Sequence, residues 1–155
     1  MSREDLKRRI DRVEEAYEFM LSYAARGLAD DQSTSLRRFL ERTHEALDGI
    51  GDAVRAVLAE DGGEDAAAKR GVERFVAVLE RDAAASHAAV GMVLAQPAIG
   101  SQLIDNLNAS IHVRALLTDL FLIDEALALG VGAESPPAAF APDEGESFGP
   151  RDEDS

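Results

Sequence analysis

Chemistry in this chain has to be sought among three histidines, because it has no cysteine to serve as a nucleophile or a thiolate ligand. His44 stands three residues after Glu41. One helical turn puts such a pair on a common face, the spacing by which dimetal carboxylate sites present a Glu and a His. Those sites need the pair on two helices and a further glutamate from each of two others. Here the spacing occurs once, beside Arg37 and Asp48, so a solvated helix surface is expected and no metal is assigned. His112 lies in line with Asp105, Asn108 and Asp119. A histidine among acids at helical spacing binds a transition metal weakly or is held as imidazolium, but this line is also the one clearly polar face of a greasy segment, and surface is again the expectation. Arg114 is placed differently, among Leu107, Ile111, Leu117, Thr118 and Phe121, on a flank that should be covered. A buried guanidinium needs a carboxylate, and Glu14 or Asp82 is the expected partner in a structural ion pair.

His87 is followed four residues later by Gly91, with Ala84 and Ala88 keeping its surroundings open. In this the sequence resembles histidine phosphotransfer domains, helical bundles whose phosphorylated histidine projects beside a glycine that leaves room for a response regulator. The resemblance implies a candidate phosphotransfer site at His87 and Gly91. It covers two residues, and Val90 stands where the family carries a lysine three positions after the histidine. A lone histidine on a helix is more often structural. Glycine-rich phosphate loops, paired catalytic carboxylates and Ser/His/Asp arrangements are absent as sequence signals, so no catalytic residue and no cofactor is assigned.

The elements that would hold these residues are all helical. The most apolar stretch, Pro97 to Gly130, reads as one long helix begun by Pro97 or Ser101. Leu116, Leu120, Ile123 and Leu127 form one stripe, Leu117 and Phe121 a second, Leu122 and Leu129 a third. That arc is wider than one neighbouring face requires. It predicts a second copy packed on it, a homodimer whose candidate interface is Leu116, Phe121 and Leu122 with the Phe19/Tyr23 edge of the first helix.

The first helix is expected from an N-cap at Ser2 to about Arg26, stopped by Gly27, with Leu6, Ile10, Val13, Tyr17, Met20 and Ala24 on its seam. A second runs from Ser33–Ser35 to the turn at Gly62 and Gly63, with Leu36, Leu40, Thr43, Leu47, Ile50, Val54 and Val57 inward. Gly49 and Gly51 fall in its middle, where close packing against a neighbour is the expected reason for them. A third spans about Asp65 to Ala95, small in its centre. Four helices with short links and a shared period near 3.5 predict an all-α, antiparallel up-down-up-down four-helix bundle over residues 1–130.

From Val131 the composition changes to an acidic, Pro- and Gly-containing tail, 131–155, with seven acids, one arginine and only Phe140 and Phe148 as aromatics. Too little apolar surface offsets its ordering entropy, so disorder is expected. The formal net charge of −14 argues against nucleic acid and anionic membrane as partners and favours basic ones. There is no apolar signal-peptide core at the charged N-terminus and no run long enough to span a membrane, which predicts a cytoplasmic, bacterial-type protein. The expected function is a non-enzymatic adaptor, accessory or regulatory protein acting through protein contacts. A phosphotransfer-like bundle using His87, or a degenerate ferritin-like metal-binding bundle, are the alternatives.

Overall fold

A computed structural model describes residues 2–60 and 65–131, and it contains six helices and no strand among them. These are α1 (Ser2–Ala25), α2 (Leu36–Leu47), α3 (Ile50–Glu60), α4 (Ala66–Leu94), α5 (Ser101–Ala109) and α6 (Ile111–Leu127). The expected turn at Gly62 and Gly63 and the acidic tail beyond Val131, with Phe140 and Phe148, lie outside the described residues. No helix among the described residues is long and apolar enough to cross a membrane.

In α1 the residues Leu6, Ile10, Val13 and Met20 are buried as the spacing predicts, while Ala16 and Tyr23 replace Tyr17 and Ala24 at the centre of the face. The covered face of α1 is thus shifted toward the Ala16 and Tyr23 side of the expected seam, with Tyr17 and Ala24 at its margin. Ser2 does not act as the expected cap; its hydroxyl donates to the Glu60 carboxylate at 2.6 Å. In α4, by contrast, Asp65 caps as an acid before a helix should, accepting from the amides of Ala67 and Ala68.

The predicted second helix is two. Asp48 is extended and Gly49 takes a φ of +77°, which ends α2 and starts α3. All seven predicted seam residues, Leu36 to Val57, are nevertheless buried, because the break preserves the helical phase. Its freed carbonyls are taken up by Arg9 of α1, whose Nη1 donates to Ala46 O at 3.0 Å and Asp48 O at 2.6 Å. A Cβ on Gly49 would meet nothing within 4 Å, so the expected close packing does not apply there. Gly49→Ala is expected to lose about 1–2 kcal/mol in urea denaturation, from left-handed backbone strain alone. Gly51 does fit the packing reading: its Cβ would collide with Glu80 Cγ.

The predicted long helix is also two, and shorter. Pro97 lies in a bend, Gly100 precedes α5, and Ser110 (ψ 140°) separates α5 from α6, its hydroxyl accepting from Val113 N. Ser110 is an N-cap inside an apolar run, and it resets the helical phase of α6. Ser86 of α4, fully buried, donates to His112 O at 3.0 Å in the first turn of α6. The end of α6 is a left-handed Ala128 at φ 51°, with the amides of Ala128 and Leu129 returning to Glu125 O and Asp124 O. Val131, expected to open the tail, belongs to the fold instead: it is buried and its amide donates to Asp124 Oδ1.

Helix α1 packs against α2, α3 and α5, and α4 against α2, α3 and α6. The α1–α2 and α4–α5 connections are tied together at one end. Ser101 N donates to Leu28 O and Leu28 N to Ser101 Oγ, each at 2.8 Å, and Ser101 Oγ donates to Tyr23 O at 2.7 Å. The two connections run so close that a Cβ on Gly100 would sit 3.2 Å from the carbonyls of Leu28 and Ala29. Asp31 is buried beside them and accepts from Ile99 N and from Arg37 Nε, both at 3.0 Å. Burial acts to raise its carboxyl, but the Arg37 hydrogen bond and the Ile99 amide together hold it below the usual range. Arg37 in turn donates to Leu94 O at 2.8 Å and Gln96 O at 3.1 Å, at the end of α4.

Three arginines thus do the same work. Arg9 serves the end of α2, Arg37 the end of α4, and Arg3 the end of α6, donating to Leu127 O at 2.6 Å. Neither α4 nor α6 has a basic residue in its own last turn. The positive charge that favours a helix C-terminus is supplied by other elements.

Candidate functional site

His87 is half-buried on α4, and its ring stacks on that of His44 from α2, with centroids 3.6 Å apart and planes inclined by 23°. A Cβ on Gly91 would lie 3.3 Å from His44 Nε2. The space that the His87/Gly91 spacing is expected to leave open is therefore filled from within the chain. Glu41 is exposed while His44 turns toward α4, so the two do not share one site. Beside the histidines a groove of about 210 Å³ runs along the α2–α3 break, bordered by Asp48, Gly49, Glu80 and His87. Glu80 is paired with Arg55, which also holds Asp52, so that cation is already engaged by two carboxylates. Among the described residues no group of three or more His, Cys, Asp or Glu side chains is gathered for a metal ion.

The expected ion pair of Arg114 with Glu14 or Asp82 is not formed. Arg114 is exposed and has no salt bridge among the described residues, because it lies on the side of α6 away from the buried Leu116, Leu120 and Ile123. Asp82 instead faces Asp119 of α6. The polar line through His112 is divided: His112 and Asp105 are exposed, whereas Asn108 is buried and Asp119 is only 6% exposed. As a carboxylate, Asp119 has no donor for its Oδ2. Burial, followed by the hydrogen bond and charge of Asp82, pushes its pKa up to about 7, against a smaller opposing effect of Arg81. The two carboxyls can satisfy each other when they share a proton. Glu14 on α1 is half-buried, and burial, then the charges of Asp11, Asp124 and Glu18, raise it to about 7.

The predicted apolar interface is redistributed. Tyr23 and Leu116 are buried inside the chain and cannot meet a second copy. Tyr23 is drawn in by its hydroxyl, which lies 2.5 Å from Ile99 O and 2.9 Å from Asp30 O. Phe19 is half-buried and stacks on Phe39 at 4.5 Å. Phe121 and Leu122 remain 56% and 53% exposed, and Ile111, which the spacing places on a covered flank, is 76% exposed. The signal that locates Ile111 is Ser110: counted from that cap, Ile111, Ala115, Thr118 and Leu122 recur at spacings of four, three and four on one outer face of α6. A shallow groove of about 540 Å³ on this face is lined by Ile111, Arg114, Ala115 and Thr118, with Ala109 and Asp119 at its ends.

The groove at the α2–α3 break is bordered by the polar side chains of Asp48, Glu80 and His87, whereas the α6 face presents large apolar side chains left uncovered by the described residues. Comparison of the chain with protein-family models, with curated proteins and with solved structures finds no match.

Proposed function

We propose that this chain is a non-enzymatic, cytoplasmic adaptor, accessory or regulatory protein that works through protein contacts and self-associates as a two-fold dimer. The observation that carries this reading is the outer face of α6. Ile111, Phe121 and Leu122 are exposed although a continuous core from Leu6 to Val131 closes without them. Large apolar side chains grouped on one helix face mark a contact surface more often than they mark chemistry. The pairwise packing of α1 and α4 against the broken rods α2–α3 and α5–α6 supports an antiparallel four-helix bundle as the scaffold. A formal charge of −14 favours basic surfaces on whatever else it binds.

Leu122→Glu is expected to convert the wild-type dimer to a monomer in light scattering while its helical circular dichroism stays unchanged, because Leu122 contributes little to the core. Wild-type protein that is monomeric at high micromolar concentration would remove the reading.

A further inference from the structure

The residues that line the groove on α6 stand in a particular relation. Ile111, Arg114, Ala115 and Thr118 are positions i, i+3, i+4 and i+7, the four that form a hole in knobs-into-holes packing. A hole of this kind takes one large apolar side chain from a facing helix. The same face carries such a side chain one turn further on, Leu122, which is 53% exposed and uncovered by the described residues. Hole and knob lie on the same helix. A second copy of α6 running antiparallel therefore fills each hole with the other copy's knob, which is the self-complementarity that a two-fold interface requires.

We infer that two copies of this chain pair through antiparallel α6 helices, with Leu122 of each seated between Ile111, Arg114, Ala115 and Thr118 of the other. The inference rests on the self-association proposed above and specifies its geometry. Setting Leu122 opposite the middle of the hole places the two-fold axis at Thr118. Thr118 suits that position, since its hydroxyl is satisfied by donating to Arg114 O at 3.1 Å, which leaves a small side chain where the helices come closest.

Charge agrees with this register. In an antiparallel two-fold pair each flank of a helix faces the same flank of its mate. Arg114, Phe121 and Glu125 share one flank of α6, all are exposed, and neither Arg114 nor Glu125 makes an ion pair among the described residues. With the axis at Thr118, Arg114 comes level with the stretch from Phe121 to Glu125 of the second copy. It gains a carboxylate and an aromatic face there, twice per dimer.

The absence of native cysteine makes the geometry directly testable. Thr118→Cys is expected to oxidise to a disulfide-linked dimer on a non-reducing gel. Ile111→Cys is expected to stay uncross-linked, because the two copies of residue 111 would be about 20 Å apart along the helix axis, beyond the roughly 7 Å span of a disulfide. Independently, Arg114→Glu should weaken the dimer about tenfold, and the Arg114→Glu/Glu125→Arg double variant should restore it. A dimer that cross-links as readily through residue 111 as through 118, or that is indifferent to Arg114→Glu, would overturn this arrangement while leaving self-association standing. A wild-type monomer at high micromolar concentration would overturn both.

Discussion

Replacing Asp31 with alanine is expected to lower the stability of the fold by about 3 kcal/mol, read as an earlier urea midpoint with an unchanged slope. Asp31 is only 6% exposed and is the shared acceptor for Ile99 N and Arg37 Nε. Its loss leaves a buried amide without a partner and releases the guanidinium that also holds Leu94 O and Gln96 O. Breaking one side of a buried pair costs more than the pair contributed, and the partial exposure of Arg37 sets the lower end of that range. Because the folded state holds this carboxyl below its usual value, its contribution is present above the ordinary aspartate pKa and is lost as pH falls through the folded one. A variant as stable as wild type at pH 7 would mean that the connection between α1 and α2 is not held by this residue.

The second large effect has the opposite sign with pH. Asp119 and Glu14 are both raised to about 7, so each contributes stability that is complete below pH 4 and is lost as pH rises through 7. Wild-type protein is therefore expected to be more stable at pH 5 than at pH 8. Asp119→Asn should flatten that slope and raise stability at pH 8 by about 2 kcal/mol, since the amide donates to Asp82 without needing a shared proton. Roughly half of the full value of the shift is taken because Asp119 borders an open groove. Glu14→Gln should add a further gain at pH 8, as it removes a half-buried charge that Asp11, Asp124 and Glu18 repel. Thermal unfolding of the wild type and both variants at the two pH values is the measurement. Equal wild-type midpoints at pH 5 and pH 8 would contradict it.

The existence and type of the elements are legible in the sequence where periodicity alone decides them. The inward residues of α2 and α3 read as one seam because the break at Asp48 and Gly49 keeps the phase, and Asp65 marks the start of α4. On α6 the stripe Leu116, Leu120, Ile123 and Leu127 is buried as its spacing predicts. The spacing does not show that the helix is covered on that side alone, which leaves Arg114 and Ile111 outside and brings Asp119 in beside Asp82. Tyr23 departs from its expected place for a different reason: an amphipathic spacing shows where a ring points but not that two loop carbonyls wait for its hydroxyl. The stacking of His44 on His87 joins two helices, and spacing within one helix carries no information about it. The alanine-rich centre of α4 does signal close approach, and Ser86 with its bond to α6 is the residue that uses it.

The bond from Arg3 to Leu127 O joins the first turn of α1 to the last turn of α6. During synthesis Arg3 emerges long before the carbonyl it serves. Helix α1 also waits for α5 and α6 before its face is covered. A nascent chain therefore carries an incompletely covered apolar stripe, Leu6 to Met20, until α5 is made, with only α2 and α3 against it before then. That interval is when an acidic, heavily charged outer face, with Glu4, Arg8, Asp11, Glu15 and Glu18 facing solvent, matters most for keeping the unfinished polypeptide from associating with others.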